Sequence, residues 1–410
     1  NKLFLFCLYS FTIFYDLKLI FNFLTFSNLA LFMIGITTLL KKDILKFYLE
    51  DDLDKKKINF LLYCFFFIFL ITIIDFVHRL PLNDILISLS TKICILLILP
   101  FTYYLYLKRK FNFLNHLNSI LFVHSFFIFF QLLGYDINIS NLIPKNSLII
   151  VWSSDILVNE NLKRLTGAVS DPIFFSYQLL FIFAYNFIKF WQTNSKKSLL
   201  FLIITLLFMF LAQSRAAIGI LFPCIFLSYL LFVKFRIKYI FYFIFLFSFL
   251  WVSYINLIPL FENYLPYLTK TITISDTHRT LTNYYISIGI IKESPLIGIN
   301  PLEAWSIFEK YSETNYANIF SRREDVPTHH NQFFFFLRYY GLIGLFLFVF
   351  LIFKIFLLIK KNNIVEYKYL IGLILMLDIA YSLTHNNKLI SPWIWIFINF
   401  IFIKKQQKIK

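Results

Sequence analysis

Long apolar runs, one after another and parted by short polar stretches, fill most of the 410-residue sequence. A helix crossing the hydrocarbon core of a bilayer takes roughly 20 apolar residues, with a range of about 17–25. The candidate runs are residues 3–16, 19–40, 58–75, 85–107, 117–134, 172–190, 198–213, 216–233, 239–259, 333–353, 369–383 and 391–403. The first and the last two are short. Apolarity is continuous within each run, whereas barrel strands would alternate between lipid-facing and lumen-facing residues, so helices are expected. The expected fold is therefore all-α: a polytopic integral membrane protein with about 12 transmembrane helices.

Composition narrows the functional classes. Apolar residues make up 59% of the chain and charged residues 15%, against about one quarter charged in a soluble domain. A cytosolic enzyme, a disordered scaffold and a secreted disulfide module are excluded. Cys7, Cys64, Cys94 and Cys224 all lie inside apolar runs and form no C-x-x-C pair, so neither a metal site nor redox chemistry is expected. The first apolar run leads straight into another, so no cleavable signal peptide is expected, and Asn1 in place of Met leaves room for missing N-terminal residues.

The formal charge of +17 raises the question of a nucleic-acid partner, which would need a basic patch on one exposed face. The basic residues fall instead in short clusters between apolar runs, the pattern that orients a membrane protein. With the N-terminus on the cytoplasmic side, nearly two thirds of the Lys and Arg residues lie in cytoplasmic segments, among them 41–57, 108–116, 234–238 and the tail 404–410. No nucleic-acid partner is expected. The organisation follows: N-terminal transmembrane helices over 1–134, a first outer loop at 135–171, central transmembrane helices over 172–259, a large outer loop at 260–332, and C-terminal helices with a basic cytoplasmic tail over 333–410. The large loop has room for short helices on the membrane surface. It is also the most polar stretch, and chemistry is expected there.

Short polar islands stand out against this background. Gln213-Ser214-Arg215-Ala216-Ala217 sits at the outer junction of two runs. Arg215 is either an Arg reaching to the interface, as is common near helix ends, or an anion site at the mouth of a bundle. Thr277-His278-Arg279 opens a helix-like run that stops at Pro295 and Gly298. Arg279 alone would read as a solvated loop residue. His329-His330-Asn331 precedes the tenth run. Histidine titrates nearest neutrality and suits a general base, while a metal site would need a third or fourth ligand that the spacing does not offer. Lys163-Arg164-Leu165-Thr166-Gly167 leads into Asp171-Pro172, a turn feeding a helix with Pro at its first position. Arg164 would either steer an anionic substrate or contact lipid head groups.

Taken in order, these islands resemble the O-antigen ligase and O-antigen polymerase superfamily of bacterial membrane glycan transferases. The resembling residues are R-L-T-G…D-P at 164–172, Q-S-R-A-A at 213–217, H-R-T…E-S-P-L-I-G at 278–298, H-H-N-Q-F…Y-Y-G-L-I-G at 329–344 and S-L-T-H-N-N…S-P-W near the C-terminus. Ile173 departs from the pattern, which usually has Asn there. The resemblance implies a multi-pass protein of the bacterial inner membrane with its site facing the periplasm. It implies an inverting glycosyltransferase without metal or other cofactor. The donor would be a glycan on undecaprenyl diphosphate. The acceptor would be a lipid A–core hydroxyl in a ligase, or a second lipid-linked repeat unit in a polymerase. Arg215 and Arg279 would hold the diphosphate and His330 would be the acceptor-side base, with His329 the competing assignment. Arg164, His329 and Asn331 would contact substrate.

A transporter or flippase for a lipid-linked sugar is the alternative from another class. It would show paired repeats and interrupted helices holding charges at mid-membrane. Only Lys92, Asp75 and Asp378 offer such charges, and no internal repeat is visible.

Overall fold

The structure, a computed structural model, describes residues 2–14, 17–19, 26–50, 55–110, 116–135, 137–139, 149–151, 165–169, 171–233, 241, 274–300, 303–311, 331–383 and 392–402. Helices stand over all of the expected apolar runs except 239–259, which lies outside the described residues apart from position 241. The N-terminal part comprises α1 (Lys2–Thr12), α2 (Phe26–Leu40), α3 (Lys42–Glu50), α4 (Lys55–Val77), α5 (Leu82–Leu107) and α6 (Leu117–Leu132). The central part holds α7 (Pro172–Thr193), α8 (Lys196–Leu211) and α9 (Arg215–Phe232). Two polar helices follow, α10 (Ile274–Glu293) and α11 (Ala304–Tyr311). The chain then forms α12 (Gln332–Lys360), α13 (Val365–Ser382) and α14 (Pro392–Phe397), which continues as a 3-10 turn over Ile398–Phe402. Among these, α4 from Lys57, α5, α9 and α12 are long and apolar enough to cross a membrane.

One element departs from the all-α expectation. Residues Leu17–Leu19 form β1, which pairs antiparallel with β2 (Ile149–Val151), Lys18 opposite Ile150. Leu19, expected at the start of the second membrane run, lies in this ribbon, and α2 begins at Phe26. The ribbon joins two segments, the first short turn and the first long loop, that the charge pattern assigns to the same side.

The long apolar helices are apolar on both faces, as helices that cross a membrane are. On α4, Phe60, Cys64, Phe67 and Ile71 are buried, while Leu62, Phe65, Phe66 and Phe69 face outward. A soluble helix would carry charge on that outer face. Because lipid tails are as apolar as Leu, helix association depends on close packing. Gly372 of α13 admits the Phe232 ring of α9, and a Cβ at 372 would come within 2.2 Å of it. Polar side chains inside the helices turn back on their own backbone: the hydroxyls of Thr38, Thr72 and Thr102 donate to the carbonyls four residues earlier, at 2.7–2.8 Å.

Lys92, Asp75 and Asp378, charges deep in the apolar runs, have partners within the protein. Lys92 Nζ lies 3.2 Å from Asp75 Oδ2, both buried, and the Tyr177 hydroxyl donates to Asp378. Links between distant segments gather at two ends of the bundle. At one end Lys57 reaches Tyr103, the Tyr106 and Tyr367 hydroxyls share a hydrogen bond, and Asn362 donates to Phe400 O and Ile401 O. At the other end lie the links that build the candidate site.

Candidate functional site

The Q-S-R-A-A island folds as a tight reversal between α8 and α9. Gln213 takes a left-handed backbone conformation, φ 51°, which turns the chain sharply after α8. Ser214 then caps α9, its hydroxyl accepting from Ala217 N at 3.4 Å. Arg215 becomes the first residue of the helix and is exposed. A cation at this position is electrostatically misplaced, since Lys and Arg stabilise the opposite end of a helix by about 0.3–1 kcal/mol. The helix start and the guanidinium together favour an anion there.

The R-L-T-G island is pinned beside this turn. Leu165 N donates to Leu211 O at 3.3 Å, so the residue next to Arg164 lies against the end of α8. Gln131 of α6 grips the turn from both ends of its amide. Its Oε1 accepts from Thr166 N and Gly167 N, each at 3.1 Å, and its Nε2 donates to Gly167 O at 2.9 Å. His124 adds a second hold. Its Nδ1 accepts from Ala168 N at 3.1 Å, and its Nε2 meets Gln178 Oε1 at 3.0 Å. A ring that accepts at Nδ1 must carry its proton on Nε2, which then donates to Gln178. Gly167 has φ 64°, and a Cβ there would come within 2.6 Å of His124 Nδ1. Arg164 itself lies outside the described residues. Pro172 is the first residue of α7, as the sequence implies.

The H-H-N-Q-F island begins α12. Asn331 is its N-cap: Oδ1 accepts from Phe333 N at 2.9 Å and Phe334 N at 3.2 Å. Its Nδ2 donates to Leu383 O at 3.0 Å, tying the start of α12 to the end of α13. Both ends of the Asn331 amide are thus engaged by backbone. Gln332 follows, 1% exposed, and among the described residues neither its Nε2 nor its Oε1 has a hydrogen-bond partner. His329 and His330 lie outside the described residues.

The E-S-P-L-I-G and Y-Y-G-L-I-G islands lock together. Gly341 interrupts α12 with φ 60° and ψ −159°, a backbone conformation essentially reserved for glycine. Such a break strands carbonyls before it and N–H groups after it. The turn that ends α10 satisfies them: Ile299 N donates to Arg338 O at 2.8 Å, Leu342 N to Pro295 O at 2.8 Å, and Ile343 N to Leu296 O at 3.1 Å. Arg338 is buried, with its guanidinium 5.1 Å from the Tyr339 ring centroid. Position 279 lies in the second turn of α10, and its side chain is outside the described residues.

The starts of α9 and α12 lie at the same end of the bundle. Cys224 Sγ donates to Met376 O, and the Tyr369 hydroxyl to Ile225 O, which sets α9 alongside α13. Phe232 lies against Gly372 and residue 224 against 376, so the helices run antiparallel and Arg215 points toward the Leu383 end that Asn331 holds. On the far side of α10, Glu293 ties α11 in place by accepting from Lys310 at 2.5 Å and Tyr311 at 3.0 Å. Those two bonds hold the Glu293 carboxyl below the usual carboxylate range. Among the described residues, no group of three His, Cys, Asp or Glu could hold a metal ion.

Sequence reasoning missed His124, Gln131 and His78, each a lone polar residue in or beside an apolar run. A histidine at 0% exposure inside such a run needs a partner, and that need is the only signal the sequence carries.

Residues 200–349 match the family model for the O-antigen ligases, so the resemblance read from the islands is shared by that segment. The match spans Q-S-R-A-A, H-R-T…E-S-P-L-I-G and H-H-N-Q-F…Y-Y-G-L-I-G, and leaves R-L-T-G and the C-terminal island outside it. No curated protein matches the chain.

Proposed function

We propose that the chain is an O-antigen ligase-like glycosyltransferase that moves a glycan from undecaprenyl diphosphate to a lipid A–core hydroxyl. The reaction takes place on the periplasmic face of the bacterial inner membrane, within a fold of about 12 transmembrane helices. The observation that carries the reading is the gathering, at one end of the bundle, of Arg215, the R-L-T-G turn and the head of α12 that follows His330. The family match over the three central islands supports the same class of chemistry.

In this proposal the acceptor hydroxyl oxygen bonds to the anomeric carbon as the bond from that carbon to the diphosphate breaks. The electron pair of the broken bond goes to undecaprenyl diphosphate, and the hydroxyl proton goes to His330. Attack opposite the leaving group inverts the anomeric centre. Arg215 and Arg279 hold the departing diphosphate; guanidinium groups stay charged and grip phosphate oxygens in pairs, so no metal or other cofactor is invoked. A positioned base contributes typically about 10²–10⁴-fold. Arg164 and His329 contact substrate beside these groups. Asn331 contributes by fixing the head of α12, and Gln332 offers the acceptor a buried amide.

A polymerase joining lipid-linked repeat units would use the same donor chemistry. A transporter is disfavoured, because among the described residues Lys92 with Asp75 and Asp378 with Tyr177 are held by partners within the protein. Purified protein in liposomes with a labelled lipid-diphosphate glycan tests the class. Release of label onto lipid A–core supports the ligase, and release onto a second carrier-linked unit supports the polymerase. Label that crosses the bilayer without leaving its diphosphate overturns both.

A further inference from the structure

The turn that follows α4 lies outside the segment matched by the family, yet it reaches into the break in α12. His78 Nε2 lies 3.0 Å from Tyr339 O, just before the break, and 3.0 Å from Ile297 O, in the turn that ends α10. Both partners are carbonyls, so Nε2 must carry the proton and donate to each. The turn answers in kind: Asn300 Nδ2 donates to His78 O at 2.9 Å. One helical turn earlier, Asp75 pairs with Lys92, whose ammonium lies 5.9 Å from the Tyr340 ring centroid. The backbone aids the approach, since Arg79 adopts φ 54° and folds the chain back immediately after His78.

The backbone bonds from Ile299, Leu342 and Ile343 connect the turn to the break directly, but each joins one pair of atoms. His78 differs because a single donor touches both partners at once. Were the turn to slide along α12, one of its two bonds would lengthen. What the clamp holds in register is the C-terminal end of α10, whose second turn carries position 279, against the head of α12.

We propose that His78 is a positioning residue for glycan transfer, holding the turn after α10 in register with the head of α12; this rests on the glycan-transfer reading above. His78 does not touch substrate. It acts through the two carbonyls it bridges. A longer amide can bring an N–H to the position of Nε2, so His78→Gln should preserve the clamp where His78→Ala removes it.

The experiment uses the full chain in nanodiscs with spin labels at Lys292 and Phe334, and in parallel measures steady-state transfer from a lipid-diphosphate glycan. His78→Ala should broaden the label-to-label distance distribution and lower kcat on the order of 10–100-fold with little change in donor KM. His78→Gln should restore a narrow distribution and most of kcat. An unbroadened distribution in His78→Ala, or a loss in that variant that falls on donor KM while kcat holds, overturns the positioning role. If wild-type protein transfers nothing while His78→Ala still broadens the distribution, the clamp stands and the transfer reading fails.

Discussion

Gly298 and Gly341 meet backbone to backbone. A Cβ built on Gly298 would lie 2.7 Å from Gly341 N, and one on Gly341 would lie 2.6 Å from Gly298 N. Both glycines also have positive φ, 76° and 60°. Neither contact involves a flexible side chain that could move aside, so the turn and the break fit only with hydrogen at both positions.

Gly298→Ala and Gly341→Ala are therefore expected to destabilise the protein, by roughly 1–3 kcal/mol from backbone strain alone and more from the clash. Thermal unfolding in detergent with a tryptophan or light-scattering readout checks this. Unchanged midpoints in both variants would mean that the two motifs do not touch.

Arg215 is exposed at a helix start, where the field of the helix disfavours a cation. Arg215→Ala should leave abundance and membrane insertion unchanged and abolish glycan transfer. Arg215→Lys should also fail substantially, because an ammonium does not reproduce a two-pronged grip on phosphate. Full activity in the Lys variant would point to head-group contact instead. Arg279 should behave in the same way.

Gln332 is a sharper case, because stability and activity should move apart. A buried amide without partners costs about 1–3 kcal/mol, and an apolar group of similar shape can relieve that cost. Gln332→Leu is expected to raise the unfolding midpoint or leave it alone while lowering transfer. A lowered midpoint would show that the amide already has a partner in the protein.

The Glu293 contact with Lys310 and Tyr311 gives a pH dependence of known sign. A carboxyl held below its ordinary range in the fold contributes stability above that range and loses it as pH falls through the lowered value. The attachment of α11 to α10 should therefore loosen only in acid, below the ordinary carboxylate range. Hydrogen exchange over residues 304–311 across an acid titration measures it. Glu293→Gln should show at neutral pH the looseness that wild type shows only in acid.

Much of the architecture was legible in the apolar runs, because a membrane helix must satisfy its backbone internally and so declares itself by length and composition alone. The helix start at Pro172 and the stop at Pro295–Gly298 were legible for a related reason: proline and glycine act on their own backbone. What stayed hidden was pairing across distance. Leu19 reads as the start of an apolar run, but its strand partner is Ile149. Asp75 and Lys92 read as stray charges until the fold sets them 3.2 Å apart. The islands announced which residue types would matter. They did not announce His78, whose two carbonyl partners lie more than two hundred residues away in sequence.

The interruption at Gly341 also splits α12 into two rods with independent phase. Each residue of an α-helix advances the azimuth by about 100°, so removing one residue from an unbroken rod would swing everything before it around the axis. Here the angular reference is reset at the joint, by atoms that belong to α10 and α4. Lengthening or shortening the rod beyond Gly341 leaves the direction of Asn331 alone, whereas a single deletion between Phe333 and Tyr340 rotates it by more than a quarter circle.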